Sequence, residues 1–94
     1  MRLVGKQKID DFTRQHADIR GPVLAWILEA EEADWSGTAD IKARFPSASF
    51  LSDNRVVFNI KGNRYRLEVK VSYEIKVVLV KWIGTHAEYS KREF

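Results

Sequence analysis

The fold of this chain is decided by residues 55–73, RVVFNIKGNRYRLEVKVSY. Apolar side chains fall on every second position on both sides of a short turn at residues 61–63, which contains Gly62. A period of two is typical of a β-strand with one buried face, and two such runs joined by a short glycine turn predict an antiparallel hairpin. The apolar face consists of Val56, Phe58, Ile60, Tyr65, Leu67, Val69, Val71 and Tyr73. The opposite face of the second run holds Arg64, Arg66, Glu68, Lys70 and Ser72.

A third strand is expected at residues 76–83, after a turn at Glu74 and Ile75. This run is apolar at nearly every position, which favours a central strand with both faces at least partly covered. Gly84 and Thr85 are expected to end the strand, and a short polar tail follows.

The first half of the chain has helical periodicity instead. We predict a short strand at residues 1–4 and a helix over residues 6–16. A second helix is capped by Asp18, has Pro22 in its first turn and extends to Ala33. A third is capped by Ser36 or Thr38 and ends at Arg44, just before Pro46.

Helices followed by a β-meander predict an α+β fold, with N-terminal helices packed on one face of a small antiparallel β-sheet. If the helices cover the apolar face, the basic residues Arg64, Arg66 and Lys70 must point out of the other face. A row of cations on an open sheet face suits a phosphate backbone.

Length and composition narrow the class of protein further. Ninety-four residues and 10.9 kDa predict one domain, residues 1–94. The chain has no cysteine, which excludes disulfides, thiolate metal sites and a cysteine nucleophile. No apolar run approaches the roughly 20 residues needed to cross a bilayer, and no charged-then-apolar leader opens the chain. We therefore expect a cytoplasmic protein without a membrane segment.

The charge of the chain is unevenly distributed. Residues 1–54 carry 7 Lys/Arg against 9 Asp/Glu, whereas residues 55–94 carry 9 against 4. A basic second half attracts polyanions, of which RNA and DNA are the commonest. On composition alone, an ordinary solvated lysine-rich face explains the same charge equally well.

The residues able to transfer protons are few. His16 ends the first helix, where a structural role beside the helix dipole is favoured over catalysis. His86 follows the last strand, within reach of the basic strand, although a lone histidine there is more often structural. Trp82 shares a strand with Val78 and Val80, which favours a core position; the alternative is an open-face position from which it stacks on a base.

Most familiar chemistries lack their motifs in this sequence. His86 and Glu88 are two residues apart, but no third metal ligand stands at a readable spacing. There is no Gly-x-Ser-x-Gly elbow, P-loop or dinucleotide fingerprint. Acid–base chemistry on a polyanion, with no metal or cofactor, is what this inventory permits. RNA carries its own nucleophile, the 2′-hydroxyl, so its cleavage needs only a base, an acid and cations that stabilise the phosphorane.

Several blocks of the chain resemble the HigB toxin family, within the RelE-like group of bacterial toxins. These blocks are residues 26–35 (WILEAEEADW), 39–42 (ADIK), 45–48 (FPSA), 54–60 (NRVVFNI), 62–67 (GNRYRL) and 84–89 (GTHAEY). The resemblance covers nearly the whole chain. It implies a compact α+β RNase fold and an mRNA interferase that cuts mRNA, usually on the ribosome. It also implies a HigA-type antitoxin with a helix-turn-helix domain, which neutralises the toxin and represses their shared operon.

The resemblance also implies roles for single residues. Arg66 matches the strand arginine that such toxins aim at the scissile phosphate, and its alternation away from the apolar face agrees with that role. His86 and Tyr89 lie where the group has its C-terminal proton-transfer residues. Arg64, Lys70 and Lys91 are then supporting RNA-binding residues. Members of the family often have aspartate after the tyrosine, where Ser90 stands here, so no role for that aspartate is transferred.

Two other classes of function fit the same residues. A non-catalytic RNA- or ribosome-binding module would use the basic face for phosphate contacts alone and bind in a salt-sensitive way. A small protein-interaction domain with incidental basic charge would have no RNA affinity at moderate salt.

Overall fold

The computed structural model describes residues 1–92 and has an α+β architecture, as predicted. Its elements in chain order are β1 (Arg2–Val4), α1 (Lys6–Gln15), a 3₁₀ turn (Ala17–Ile19), α2 (Arg20–Glu32), α3 (Thr38–Arg44), β2 (Ser49–Phe50), β3 (Arg55–Ile60), β4 (Tyr65–Ser72), β5 (Val77–Thr85) and α4 (His86–Ser90). No helix within the described residues is long and apolar enough to cross a membrane.

The sheet has five strands in the order β1-β5-β4-β3-β2. Strands β3 to β5 form the predicted antiparallel meander, and β2 adds a short antiparallel strand that was not predicted. Strand β1 pairs with β5 in parallel, so the sheet is mixed rather than antiparallel. The reason is that three helices separate β1 from the meander, and no hairpin turn constrains its direction. Its three residues complete the far edge of β5, where Leu3 lies beside Val78.

The hairpin of β3 and β4 follows the predicted alternation. Phe58 and Leu67 face each other across the pair and are almost fully buried. They belong to one apolar cluster with residues of α1, α2, β1 and β5. The Trp26 ring of α2 meets the Phe58 ring edge-on at 5.2 Å, which joins helix and sheet directly. The remaining members of that face in β3 and β4 are Val56, Ile60, Tyr65, Val69 and Val71, all buried.

A β-bulge in β5 changes which face Trp82 occupies. Glu68 lies opposite Trp82 and Val69 lies opposite Val80, so Lys81 is an extra residue in β5. The bulge moves Trp82 off the face of Val80 and brings Ile83 into the core instead. The prediction of a core position for Trp82 is therefore wrong. Trp82 lies on the face away from the core, and the stacking of a base on its ring stays a prediction.

The carboxyl end of the chain also differs from the prediction. Strand β5 continues through Gly84 to Thr85, and the expected polar tail begins as the short helix α4. At the other boundary, Arg64 belongs to the turn rather than to β4, which begins at Tyr65. In that turn Lys61 and Gly62 both have positive φ, a conformation for which the glycine is well suited.

Substitution of Leu67 by alanine is expected to lower the free energy of unfolding by about 2–5 kcal/mol. Leu67 is fully buried at the centre of the sheet, so the shorter side chain loses apolar contacts and leaves a cavity. Urea titration followed by circular dichroism measures the loss. The control is Ile75→Ala, at a side chain that is 70% exposed, which is expected to change stability by less than about 0.5 kcal/mol. A similar loss in both variants would contradict the assigned core.

Candidate active site on the open sheet face

The face of the sheet away from α1 and α2 carries polar and charged residues in three cross-strand rows. Asn59, Arg66 and Gly84 form the first row, across β3, β4 and β5. Cross-strand neighbours share a face, so Glu68 with Trp82, and Lys70 with Leu79, form the rows that follow. We call this surface the open face. Helix α4 lies over one end of it, next to β4 and β5.

Arg66 is fixed on the open face by short-range hydrogen bonds. Its Nη1 donates to the backbone oxygens of Asn63 at 3.0 Å and Tyr65 at 3.3 Å. Its Nη2 donates to the side-chain oxygen of Asn63 at 3.2 Å. The turn that joins β3 to β4 therefore holds the guanidinium in one orientation, and that orientation lies on the side of the sheet opposite the helical core.

Within the described residues, the positive charge of Arg66 is buried without a counter-charge. The residue is only 8% exposed, and among residues 1–92 no carboxylate forms an ion pair with it. All three hydrogen bonds go to neutral oxygens. A buried cation normally has an anionic partner, because desolvation of a lone charge is costly. The Arg66 guanidinium is therefore suited to bind an anion, and its two parallel N–H groups match the oxygens of a phosphate.

Helix α4 begins immediately where β5 ends, through a capping box. The Glu88 backbone N–H donates to Thr85 Oγ1 at 3.1 Å, and the Thr85 N–H donates to Glu88 Oε1 at 2.8 Å. The sequence Thr-His-Ala-Glu has the Thr-x-x-Glu spacing of this motif. The Thr85 backbone N–H holds the pKa of Glu88 below its usual value. The cap fixes His86 as the first residue of the helix.

The cap brings Tyr89 to Arg66 of the first row and places His86 beside the turn that precedes β4. The Tyr89 ring centroid lies 5.8 Å from the guanidinium carbon of Arg66, and the ring also contacts Trp82 at 6.2 Å. His86 is exposed, and its backbone N–H donates to the Arg64 carbonyl at 2.8 Å. His86 and Tyr89 are three residues apart on α4, a spacing that puts both on one side of a helix.

A family model described as the RelE-like toxic component of a toxin–antitoxin system, HigB_toxin, matches residues 19–92. The match includes the whole meander, the turn that holds Arg66, and α4.

The chain belongs to the HigB toxin family.

It is thus the toxin of a toxin–antitoxin system, and its partner in that system is an antitoxin. A comparison with curated protein sequences gives no match.

The three cations predicted to support RNA binding occupy different settings in this HigB-family toxin. Lys70 lies on the open face, where its Nζ forms an ion pair with Asp53 at 3.0 Å. That ion pair holds the pKa of Asp53 below its usual value. Arg64 is exposed in the turn before β4, and Lys91 is exposed just after α4. Arg64 and Lys91 therefore flank α4, whereas Lys70 lies two rows away from Arg66.

Sequence reasoning gave no role to four residues of this surface, namely Arg55, Asn63, Glu68 and Arg92. Asn63 orients Arg66, as described above. Glu68, a buried carboxylate of β4, lies between Arg55 of β3 and Arg92. The alternation of β4 gave the face of Glu68, but no local pattern indicates that Arg92 contacts it.

Within residues 1–92 no three His, Asp or Glu side chains come together in a group able to hold a metal ion.

Asp18 does not cap α2 as predicted. It lies in the 3₁₀ turn, where its carboxylate accepts hydrogen bonds from Lys61 Nζ at 3.0 Å and from the Tyr65 hydroxyl at 2.8 Å. Tyr65 also meets the ring of His16, which stacks on Phe12 at 4.1 Å. His16 thus forms a structural contact between α1 and β4.

The Asp18 carboxylate is expected to make stability fall at acid pH. Lys61, and then Tyr65, hold the pKa of Asp18 below its usual value, so folding favours the ionised form. This stabilisation is complete above the unfolded pKa, near 3.9, and disappears as the pH falls through the lower folded pKa. Urea midpoints measured between pH 6 and pH 2 should fall less steeply for Asp18→Asn than for the wild type. Asp10→Asn removes an exposed carboxylate without an ion pair in the described structure, and an equal flattening there would contradict the assignment.

Proposed function

We propose that this HigB-family toxin is a metal-independent endoribonuclease, an mRNA interferase that cleaves mRNA on the translating ribosome and so inhibits translation and growth. The observation that carries the proposal is the buried guanidinium of Arg66, which lacks a carboxylate partner among residues 1–92. A phosphodiester supplies the anion that this site lacks, and RNA supplies a nucleophile as well.

In the proposed reaction a base removes the proton of a 2′-hydroxyl, and the 2′-oxygen attacks the adjacent phosphorus. The bond from phosphorus to the 5′-oxygen then breaks as an acid protonates that oxygen. The products are a 2′,3′-cyclic phosphate and a 5′-hydroxyl. The RNA itself supplies both the attacking oxygen and the leaving oxygen. Neither a cofactor nor a metal ion takes part.

Three residues have separate catalytic roles in the proposed reaction. Arg66 stabilises the negative charge that builds up on the phosphorane, because its fork is already oriented by Asn63 before the substrate arrives. His86 is the preferred proton carrier, and Tyr89 is the second candidate. Their common side of α4, with Tyr89 against Arg66, supports placing both at the scissile linkage.

Arg64, Lys70 and Lys91 are proposed to bind the phosphates on either side of the cut. Arg64 and Lys91 are exposed beside α4 and free of ion pairs within the described chain. Lys70 must share its charge with Asp53, so its contribution to RNA affinity is expected to be the smallest of the three.

The partner is proposed to be a HigA-type antitoxin with a helix-turn-helix domain, encoded next to the toxin, which neutralises it and represses the shared operon. Because mRNA and ribosomes are the proposed substrate and platform, the toxin would act in the cytoplasm.

Purified toxin added to translating ribosomes tests the proposal, with 5′ ends of the mRNA mapped before and after addition. New 5′ ends within the coding sequence are the expected result. A separate assay of free RNA in EDTA shows whether cleavage also occurs without the ribosome and without a metal ion. Salt-sensitive binding to RNA or ribosomes with no new ends would instead favour a non-catalytic binding module. No affinity at moderate salt would favour a protein-interaction domain.

A further inference from the structure

Glu68 is a buried carboxylate that the proposed reaction does not use. It lies in the middle of β4 on the open face, one row away from Arg66, and is only 3% exposed. A carboxylate is rarely buried at this depth unless cations compensate its charge. The cations that contact Glu68 therefore indicate the structural role of this carboxylate.

Two guanidinium groups face the two oxygens of this carboxylate. Arg92 Nη1 lies 2.8 Å from Oε1, and Arg55 Nη1 lies 3.8 Å from Oε2. Arg55 is also bonded to the turn before its own strand, through the backbone and side chain of Ser52. Arg55 therefore neutralises Glu68 from within the sheet, whereas Arg92 reaches it from a separate part of the chain.

Arg92 makes a second contact on the sheet. Its guanidinium carbon lies 4.3 Å from the ring centroid of Trp82, the residue opposite Glu68 on β5. A guanidinium at this distance is attracted by the face of an indole ring. The β5 bulge puts Trp82 on the open face and so creates one of the contacts that hold Arg92; another is the ion pair with Glu68.

Residues 86–92, the C-terminal segment, are consequently attached to the sheet at both ends. The capping box of Thr85 and Glu88 holds one end, and the contacts of Arg92 hold the other. The Arg92 backbone N–H also donates to the Tyr89 carbonyl at 3.1 Å, which links the backbone of Arg92 directly to that of Tyr89.

We infer that Glu68 is a positioning residue, which acts through Arg92 to hold the C-terminal segment across the open face, with Tyr89 against Arg66. The inference rests on the proposed function for its effect on catalysis. It concerns residues that the proposed reaction does not touch, and it gives Glu68 and Arg92 a single shared role.

The variants Glu68→Gln and Arg92→Gln test the inference, because each removes one charge of the ion pair. Glu68→Gln does so at nearly constant volume, whereas Arg92→Gln also shortens the side chain and removes its contact with Trp82. Both are expected to lower kcat for RNA cleavage by about 10–100-fold, since small displacements of reacting groups have effects of that size, with KM little changed. The double variant should be no worse than the single ones, because the two side chains act as a unit. Arg92→Lys keeps the charge and should recover part of the rate.

Hydrogen–deuterium exchange of the same variants gives a readout that does not depend on cleavage. Amides of residues 86–92 should exchange faster in Arg92→Gln, whereas those of β3 and β4 keep their protection and report an intact sheet. Arg20→Gln removes one charge from the far side of the sheet, where Arg20 forms no ion pair within the described chain, and should change neither rate nor exchange.

The two possible failures are distinguishable. If the wild-type toxin cleaves no RNA, the proposed function is wrong, and the exchange data alone decide whether Arg92 holds the C-terminal segment. If the wild type cleaves but both Gln variants match it in kcat and in exchange, the inference is overturned. Additive losses in the double variant would also overturn it, because they would mean that Glu68 and Arg92 act separately.

Discussion

Substitution of Arg66 by alanine is expected to lower kcat for RNA cleavage by about 10²–10³-fold, the usual loss when one donor to a developing oxyanion is removed. RNA affinity should fall much less, because a guanidinium that acts mainly on the phosphorane contributes to the transition state rather than to the ground state. Single-turnover cleavage at saturating RNA measures the rate, and fluorescence anisotropy of a labelled RNA measures the affinity.

The fold is expected to survive this substitution. No carboxylate among residues 1–92 depends on Arg66 for its charge balance, so alanine leaves no buried anion behind. Arg66→Lys keeps the charge but loses the planar fork, and should recover only part of the rate.

Arg64 offers a matched control for Arg66, since it is an exposed arginine two residues earlier. Arg64→Ala should weaken RNA binding and reduce the magnitude of the salt slope by about 1, while kcat stays near the wild-type value. If Arg66→Ala behaves in the same way, with weaker binding and an unchanged rate, Arg66 only binds RNA and the proposed catalytic role is wrong.

Substitution of His86 by glutamine is expected to lower kcat by about 10²–10⁴-fold, the range that general acid–base catalysis contributes. Glutamine keeps hydrogen-bonding capacity but cannot exchange a proton at neutral pH. His86 is exposed and its structural hydrogen bond uses the backbone N–H, so the side chain can be changed without loss of α4. Initial rates of cleavage and growth arrest after induction are the two measurements.

His16 provides the control for His86. His16→Gln removes the stack on Phe12 and should leave the cleavage rate unchanged, because the His16 ring packs against Phe12 and Tyr65 in a structural contact. Tyr89→Phe then separates the two proton-transfer candidates, because it keeps the ring over Arg66 and removes only the hydroxyl. Survival of both growth arrest and cleavage in His86→Gln would rule out His86 as the proton carrier.

The parts of the fold that depend on local pattern could be predicted from the sequence. Alternation from Val56 to Val71 gave β3, β4 and the turn between them, and it put Arg66 and Glu68 on the face away from the core. Period two is a property of neighbouring residues, so it needs no knowledge of the rest of the chain.

Features that depend on distant partners could not be predicted. The single extra residue Lys81 turns Trp82 to the other face, and only the register with β4 reveals it. Asp18 resembles a helix cap in sequence, yet it binds Lys61 and Tyr65, which the fold brings to it. The α4 cap, by contrast, has a local signal in the Thr-x-x-Glu spacing of residues 85–88.

The candidate site likewise has some features that follow from local sequence pattern and others that depend on distant residues. The strand face of Arg66 followed from alternation, whereas its burial beneath Tyr89 required α4 to fold back over the sheet. The contact of Arg92 with Glu68 joins residues 24 positions apart and has no local signal. The catalytic roles of Arg66, His86 and Tyr89 stay predictions until the variants are measured.

The chemistry of the cut ends tests the central claim most directly. Ribosomes translating a defined mRNA are treated with the toxin, the reaction is stopped with EDTA, and both new ends of the mRNA are identified by mass spectrometry. A 2′,3′-cyclic phosphate, or the phosphate formed when it opens, together with a 5′-hydroxyl is the predicted result. RNA that stays intact, or ends that carry a 3′-hydroxyl and a 5′-phosphate, would contradict attack by the 2′-hydroxyl at Arg66.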